Sequence, residues 1–413
     1  MGCFFSSIHL SPLLPLLALS PHHLPLSFHL QALDIPHQLA ARLYADVNLA
    51  EYKALLANDR ETSSKKANAS AVAALAAYRV AVGALPFKQV SLDPLLSKLL
   101  EGLSDEEIKK AGNIANPVAK KIAVAAASDN SGAFEFANFQ PASAKDGRPG
   151  SYAFAPDQKF TLYPQLGNSK LYVLQGNNAK EILESKDFKN FTALKVGTKE
   201  YEEQLAQVDR AGSLNSTERT PEQSSIAEFW ADGPGTPTVA GHYLQIAASL
   251  LPENATLEQT AELFARVAVA NTDAATLAWV LKYRELAARP VTAFRRGGNG
   301  GNYSQSLPTW APFLKTPPHP EYPSGHTVTS GSTAEVLKNW FGRDDVSFTT
   351  NTRAKGFEPR NFSSLRASAI EVGDSRVFGG IHYNKSSADG NELGIAVAKK
   401  VDAGFNKTFG AEK

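Results

Sequence analysis

Three short motifs in the C-terminal half carry residue types that can hold and transform an oxyanion. The first is Lys282 followed seven residues later by Arg289 and then Pro290, in the run KYRELAARP. On one continuous helix this spacing places both cations on the same face, two turns apart, so both would point toward one ligand. Most such pairs belong to a solvated helix face, so this motif needs support from the other two.

The second motif reads Tyr-Pro-Ser-Gly-His-Thr over residues 322–327 and precedes a helical apolar pattern. Pro followed by Ser is typical of a helix start, so we place Ser324 near the N-cap, with free backbone N–H groups from Gly325 onward. Those donors and the positive helix end favour an anion, which the bare Gly325 lets approach. His326 is then placed to exchange a proton with that anion; an ordinary capped helix with a surface histidine is the alternative.

The third motif, SRVFGGIHYNKSSADG, contains Arg376 and His382 six residues apart. On a bent or helical segment both side chains can face one ligand, while the adjacent Gly379 and Gly380 would keep the approach open. Each residue taken singly would more often be structural. Beyond position 37 the chain has four histidines, and three of them lie in or beside these motifs: His319, His326 and His382.

Overall composition indicates that any anion site must be local. The 413 residues include 42 basic and 41 acidic side chains, so the chain lacks the strong positive field that nucleic-acid binding requires. A few converging cations must therefore form the site. The only Met and Cys are Met1 and Cys3, which excludes disulfides from the folded region and suits a protein working beside peroxide; drift in an Ala-rich chain is the alternative.

The first 33 residues contain no Asp, Glu, Lys or Arg and include a short apolar run from Ile8 to Ser20. The run has signal-peptide length and is too short to span a bilayer, so we interpret residues 1–33 as a targeting segment of a secreted protein. N-myristoylation of the Met-Gly-Cys-Phe-Phe-Ser start is the alternative, with Cys3 placed for palmitoylation. No later segment holds 18 uncharged apolar residues, so no transmembrane helix is expected.

Asparagine sequons favour secretion over lipidation. Eight of the 22 asparagines begin an Asn-x-Ser/Thr sequon, where Ser/Thr content alone would give roughly three. They are Asn68, Asn190, Asn215, Asn254, Asn302, Asn361, Asn384 and Asn406. The sequence therefore predicts a glycoprotein.

Helical periodicity dominates the chain and strand-like alternation is scarce, which predicts an all-α helical bundle. The predicted helices are Leu39–Asn58, Ala67–Val82, Asp105–Ala127, Ser225–Ala231, Leu257–Ala288 and Ser324–Phe341. A break is expected at Pro117, and Pro290 should end the longest helix with Arg289 in its last turn. Residues 141–174 and 297–323 read as long irregular segments. We treat residues 34–413 as a single helical domain, with a softer boundary near residue 150 and the anion site within 279–389.

The three motifs, Lys-x6-Arg-Pro, Pro-Ser-Gly-His and Ser-Arg-x3-Gly-x-His, resemble in this order the signature of the superfamily that joins vanadium-dependent haloperoxidases and type 2 acid phosphatases. The resemblance spans Lys282 to Asp389 and continues weakly through Phe229 to Gly233. It implies the haloperoxidase kind of helical bundle and one vanadate per chain. The implied donors to the vanadate oxygens are Lys282, Arg289, Ser324, the Gly325 N–H and Arg376.

The resemblance also implies individual roles at the site. His382 becomes the axial ligand to vanadium, His326 the general acid/base, and Lys282 the cation that polarises peroxide. Asp232 becomes a supporting partner of these residues. The family places side chains beside the halide route at the positions of Trp279 and His319, and a histidine at the second position is similar to bromoperoxidases more than to chloroperoxidases.

Two other functions use the same donors. A secreted type 2 acid phosphatase would hydrolyse phosphate monoesters, with His382 attacking phosphorus to give a phosphohistidine and His326 protonating the leaving alcohol. A non-catalytic binder of phosphate or vanadate is the third reading. Trp279, His319 and the missing Met and Cys favour a haloperoxidase that acts on hydrogen peroxide, on bromide or iodide, and on a small organic acceptor. The sequence leaves open whether the protein forms a homo-oligomer.

Overall fold

The computed structural model describes residues 37–130, 149–174, 179–233, 236–298, 303–352, 354 and 356–410, and α-helix is the main secondary structure among them. The thirteen α-helices of this described part, α1 to α13, are His37–Asp59, Ala69–Ala84, Gln89–Leu99, Asp105–Ala127, Ala179–Glu184, Lys199–Gly212, Pro221–Phe229, Thr238–Leu250, Leu257–Glu285, Pro290–Arg296, Gly325–Phe341, Leu365–Phe378 and Asn384–Phe409. A short antiparallel pair, β1 (Phe348–Thr350) and β2 (Arg360–Phe362), joins α11 to α12 with Phe348 opposite Phe362. The all-α prediction is confirmed.

Helix α9 is the long inner helix of the bundle. It begins at a capping box in which Thr256 and Gln259 each bond the other's backbone N–H, and it continues for 29 residues. Nearly all its residues from Thr260 to Lys282 are buried, as expected of a helix surrounded by others. Helices α1, α11 and α13 pack against it. The helix therefore carries Lys282 from the core to the site.

Helices α11 and α13 approach each other backbone to backbone. A Cβ atom on Gly331 would lie 2.4 Å from the Asn391 carbonyl oxygen, and one on Gly394 would lie 2.2 Å from the Val328 oxygen. No side chain fits at either position, so glycine is required there by packing. This contact fixes α11, whose first turn contains the Gly-His pair, relative to the helix that follows His382.

Two helix boundaries differ from the sequence prediction. Helix α4 runs without a break through Pro117, because Pro117 and Asn113 are both exposed and water can bond the carbonyl that the proline leaves free. Helix α9 ends at Glu285 instead of Ala288, because Leu286 adopts a left-handed conformation with φ of 47°. Lys282 and Arg289 are therefore not on one helix face, and that expectation was wrong.

Arg289 instead precedes a new helix. It has an extended backbone, with φ of −67° and ψ of 153°, as favoured before a proline, and Pro290 is the first residue of α10. The turn from Leu286 to Ala288 is held by bonds from the Tyr152 N–H to the Leu286 oxygen and from the Ala288 N–H to the Gly150 oxygen. The backbone thus leaves the helical path between the two cations.

The two segments predicted to be irregular contain no α-helix or strand over their described parts, 149–174 and 303–323, apart from the 3₁₀ turn Leu166–Asn168 in the first. The targeting segment 1–33, the sequon Asn302 and residues 141–148 lie outside the described residues. No single described helix has the length and apolar composition of a membrane span; one bent pair, α2 with Pro86–Leu99, passes that test at an angle of 117°. The main hydrophobic core draws on all the described α-helices except α6 and α10, whose buried apolar residues belong to a second cluster. The single-domain reading of 34–413 stays a prediction.

Candidate oxyanion-binding active site

Lys282 lies in the last turn of α9 and is completely buried. Its Nζ donates to the carbonyl oxygens of Pro320 at 2.9 Å, Glu321 at 3.1 Å and Pro323. Burial and the nearby Arg289 lower the pKa of Lys282 well below its usual value, and the Glu321 carboxylate opposes this. Three carbonyl bonds use all three N–H groups of an ammonium, so the geometry holds the lysine in its charged form.

Arg289 is also buried and connects the lysine-bearing turn to the third motif. Its Nε donates to the His319 carbonyl at 3.0 Å, and its Nη1 donates to the Ile381 carbonyl at 2.7 Å. Nη1 also lies 2.9 Å from His382 Nε2, and Nη2 lies 3.0 Å from His319 Nδ1. Burial lowers the pKa of Arg289 to about 10, which leaves it cationic at neutral pH.

Arg376 lies in the last turn of α12 and is held against the segment that follows α7. Its Nη2 donates to the Trp230 carbonyl at 2.6 Å and to the Ala227 carbonyl at 3.4 Å, and its Nε donates to Ser375 Oγ at 3.0 Å. Burial lowers the pKa of Arg376 to about 10, while the negative charge of Asp232 acts in the opposite direction. This arginine too stays charged at neutral pH.

His382 lies in the connection between α12 and α13 and is 2% exposed. Its Nδ1 lies 2.8 Å from Oε1 of Glu321, a buried carboxylate. Burial, Arg289 and Lys282 all lower the pKa of His382 well below its usual value. The ring is therefore a neutral imidazole with one lone pair available on nitrogen.

The N-terminus of α11 forms the remaining wall. Ser324 is the N-cap residue, but its side chain makes no capping bond, and its buried Oγ has no hydrogen-bond partner in the described structure. The buried Trp279 Nε1 likewise has none. The indole lies 3.5 Å from where a Gly325 Cβ would stand. His326 is half-buried, with Nε2 at 3.2 Å from the Ala231 carbonyl oxygen.

Asp232 occupies the wall beside Arg376. Its carboxylate oxygens lie 3.1 and 3.2 Å from Nδ1 of the buried His242, whose Nε2 lies 2.9 Å from Thr350 Oγ1. The His242 ring stacks on Trp230 with centroids 4.7 Å apart. Asp232 therefore has a fixed orientation from which its charge stabilises Arg376.

The charges of the site favour an anion. Three buried cations, Lys282, Arg289 and Arg376, are accompanied by two buried carboxylates, Asp232 and Glu321. The donor set is rich in arginine, whose planar fork matches an oxyanion, and it adjoins a helix N-terminus. A ligand oxygen at the unpartnered Ser324 Oγ would satisfy a buried polar atom that otherwise carries a desolvation cost. These residues fit vanadate or phosphate.

The structure thus brings the three motifs together. His319 also lies at the site, with its ring 5.2 Å from that of Trp279. Gly379 and Gly380 do not keep an approach open as expected: a Cβ on Gly380 would lie 2.2 Å from the Gly212 oxygen, so the pair permits close backbone packing.

Sequence reasoning missed Glu321 and His242. A carboxylate two residues after His319, within the proline-rich run, was a usable signal for Glu321, because a buried histidine often requires an acceptor for its second nitrogen. No local signal marks His242, whose partner Thr350 is 108 residues away.

Comparison with known proteins agrees with this geometry. A family model described as the VCPO second helical-bundle domain matches residues 262–410. Vanadium chloroperoxidase of Curvularia inaequalis is 32% identical over 153 residues, which cover 32% of this chain and 25% of that protein. The structure of the first bacterial vanadium-dependent iodoperoxidase aligns with a TM-score of 0.73 and 23% identity, over 92% of this chain and 94% of that one. The holo-type bacterial vanadium-dependent chloroperoxidase gives 0.72 and 17%, over 92% and 95%.

Residues 262–410 therefore resemble the VCPO second helical-bundle domain, and the chain shares the fold of the solved vanadium-dependent haloperoxidases. The matched segment, residues 262–410, contains all three motifs of this chain. Asp232 lies outside it. The solved structures extend the shared fold upstream of that segment. The match to the curated chloroperoxidase spans only a quarter of that protein's length.

Proposed function

We propose that the protein is a vanadium-dependent haloperoxidase, which oxidises halide with hydrogen peroxide to a hypohalous-acid equivalent that halogenates small organic acceptors. The observation that carries the proposal is the excess of buried cations at Lys282, Arg289 and Arg376. Deprotonation does not relieve this excess, because the three carbonyl bonds of Lys282 hold it in the ammonium form and burial lowers the pKa of both arginines only to about 10. An anionic group bound in the site balances it.

Vanadate fits this requirement, and one per chain is expected. Arg289, Arg376 and Lys282 would hold its oxygens together with Ser324 and the Gly325 N–H. His382 Nε2 would ligate vanadium, and its hydrogen bond from Arg289 Nη1 would be given up to do so. When bound, vanadate supplies a Lewis acid that polarises peroxide for attack by halide. Lys282 must exchange at least one carbonyl bond to contribute an N–H, because its three bonds use all its donors.

His326 is the residue that we expect to move protons. It is half-buried, lies in the first turn of α11, and has Nε2 at 3.2 Å from the Ala231 carbonyl oxygen. A histidine that reaches both solvent and the anion could take a proton from peroxide and deliver it to the leaving hydroxide, which departs as water. The buried His382 is poorly suited to this role, since its surroundings strongly disfavour the charged ring.

We further propose that bromide and iodide are the favoured halides. Related proteins include an iodoperoxidase and chloroperoxidases, so the family alone does not decide the halide. The support here is His319, which lies beside Trp279 and hydrogen-bonds Arg289. A polar ring in this wall keeps the pocket wetter and weakens the electrostatic pull that oxidation of chloride requires.

One paired assay tests the function. Purified protein, with and without added orthovanadate, is tested for peroxide-dependent bromination of an organic acceptor and for hydrolysis of an aryl phosphate. We expect bromination that depends on vanadate, at one vanadate per chain. Phosphate hydrolysis without bromination would identify an acid phosphatase instead, and tight vanadate binding with neither activity would identify a binder.

We also propose that the protein is secreted and N-glycosylated. All seven described sequon asparagines are exposed to solvent: Asn68, Asn190, Asn215, Asn254, Asn361, Asn384 and Asn406. Exposure is what the glycosylating enzyme requires of its acceptors. Mass spectrometry of native protein should find glycans and a mature N-terminus after residue 20. An acylated Gly2 would contradict the proposal.

A further inference from the structure

Glu321 joins the second motif to the third through its side chain. It is 2% exposed, and both its carboxylate oxygens accept hydrogen bonds. Oε1 lies 2.8 Å from His382 Nδ1 and accepts from the Tyr383 N–H at 3.0 Å, while Oε2 accepts from Ser386 Oγ at 2.6 Å. The carboxylate is therefore fixed in place, with one lone pair directed at the imidazole.

The opposite ring nitrogen is constrained independently. His382 Nε2 lies 2.9 Å from Arg289 Nη1, and a guanidinium nitrogen can only donate. Nε2 must then present its lone pair, so the proton of the neutral ring is on Nδ1 and is donated to Glu321. The two contacts select the same tautomer from opposite sides of the ring.

We propose that Glu321 is a positioning residue that fixes His382 as the Nδ1–H tautomer and keeps the Nε2 lone pair directed at the anion site. Only an unprotonated Nε2 can ligate vanadium, and a ring free to change tautomer or turn over would lose that lone pair part of the time. The inference deepens the proposed function and rests on it where vanadate is the ligand of Nε2.

Glu321 has a second connection to the site that any test must separate from the first. Its backbone carbonyl accepts from Lys282 Nζ at 3.1 Å, and its side chain anchors Ser386 at the start of α13. A variant could therefore act by loosening α13 and leave the tautomer alone. Ser386→Ala removes that anchor and retains the imidazole contact, so it is the matched control.

The experiment uses the full chain labelled with ¹⁵N-histidine, and the His382 ring signals are assigned by their absence in His382→Ala. In vanadate-free wild type we expect a protonated Nδ1 and an unprotonated Nε2. Glu321→Leu, which offers no acceptor, should shift the ring toward the Nε2–H form. Orthovanadate binding by calorimetry should then weaken roughly 10- to 100-fold, the usual effect of losing such a partner.

Glu321→Gln should retain both the Nδ1–H tautomer and the affinity for orthovanadate. Its amide oxygen can accept from Nδ1–H and from the Tyr383 N–H, and its NH₂ group can donate to Ser386 Oγ, so vanadate affinity should stay within about threefold of wild type. Ser386→Ala should also bind as wild type does. If Ser386→Ala weakens binding as much as Glu321→Leu, or if Glu321→Leu keeps both the tautomer and the affinity, the inference is wrong.

The wild-type spectrum decides the matter even if Glu321→Leu fails to fold. A proton on Nε2 in the vanadate-free protein would overturn the inference directly. Failure of the proposed function has a different appearance: wild type would bind inorganic phosphate but show no bromination with vanadate, while the tautomer measurement would be unaffected.

Discussion

Two buried clusters of charge lie along helix α9, and they have opposite imbalances. Near the C-terminal end of the helix, the anion site combines Lys282, Arg289 and Arg376 with two carboxylates. Two to three turns earlier, Asp273 belongs to a second group, here called the aspartate cluster, which consists of the buried Arg42, Asp46, Asp129 and Asp273 and the half-buried Tyr172. The first has too few acids for its cations, and the second has three acids for one arginine.

The two imbalances are resolved in different ways. In the aspartate cluster, Asp46 accepts from Tyr172 Oη at 2.6 Å, and burial raises the pKa of Asp46 to about 7. Burial also raises the pKa of Asp273 to about 6, against three backbone N–H bonds that lower it. A surplus acid can thus take up a proton. The arginines, with pKa values of about 10, cannot lose a proton at neutral pH, and the carbonyl bonds of Lys282 hold its ammonium form, so the anion site needs an external anion.

The largest effect should come from removing the two histidines of the anion site. His382→Ala should abolish vanadate-dependent activity, because it deletes the ligand, whereas His326→Ala should leave vanadate bound and slow turnover by roughly 10²–10⁴-fold, the usual contribution of a positioned acid/base group. Vanadate binding by calorimetry and steady-state bromination separate the two cases. If both variants bind vanadate equally well and turn over at nearly the normal rate, the two histidines do not have these roles, and the anion site is a structural cluster.

The aspartate cluster should instead affect how the free energy of unfolding depends on pH. The folded-state pKa of Asp46, about 7, lies above its ordinary value of 3.8, so the stability contributed by the neutral acid is fully present below about pH 4 and is lost as the pH rises through 7. Asp46→Asn mimics the neutral acid. It should therefore gain on the order of 4 kcal/mol over wild type at pH 8 and little at pH 4.

Urea unfolding at several pH values measures this. Asp59→Asn, at the exposed end of the same helix α1, controls for the loss of one negative charge. If the free energy of unfolding of Asp46→Asn depends on pH in the same way as that of wild type, the aspartate cluster does not resolve its charge imbalance by protonation.

A smaller effect tests whether the anion site has a vacant donor. Ser324→Ala should weaken vanadate binding roughly 10-fold, because a hydrogen bond from a neutral hydroxyl to a charged oxygen contributes about 1.5 kcal/mol. Ser332→Ala is the matched control: this serine lies on the same helix α11, and its Oγ is also buried without a partner. Similar affinities for the two variants would show that the Ser324 hydroxyl does not contact the anion.

The smallest effect concerns which halide is oxidised. His319→Phe should raise the ratio of chloride to bromide oxidation by a few-fold, since a drier wall beside Arg289 strengthens the pull of the cations on peroxide. Steady-state kinetics with both halides measure the ratio. Wild type that oxidises chloride as efficiently as bromide would contradict the premise, and an unchanged ratio in His319→Phe would contradict the role of the side chain.

The sequence predicted those features of the two clusters that depend only on residues close together in the chain. Pro-Ser-Gly located the start of α11, and the apolar pattern of α9 indicated a buried helix. The pattern could not show that the helix stops before Arg289, because nothing in the composition of residues 286–288 requires Leu286 to turn left-handed. Helices α12 and α13 were not predicted, since Ser, Gly and charged residues interrupt their apolar period.

The contacts between distant residues were beyond sequence reasoning. Glu321 and His382 are 61 residues apart, and His242 and Thr350 are 108 apart. Only the packing of the helices brings these pairs together. The motifs therefore supplied the candidates for the site, and tertiary structure supplied the carboxylates that orient them.

The bonds from Lys282 also bear on the entropy of ligand capture. Together with the Arg289 bond to the His319 oxygen and the Glu321 N–H bond to the Ala287 oxygen, they tie the backbone of residues 319–323 from several directions before any anion arrives. Ordering a residue on binding costs about 1–2 kcal/mol of backbone entropy. A segment that is ordered in advance avoids most of that cost. The N–H groups of His319 and Glu321, which donate to the Pro317 and Ala287 oxygens, should therefore already resist hydrogen exchange in the vanadate-free protein.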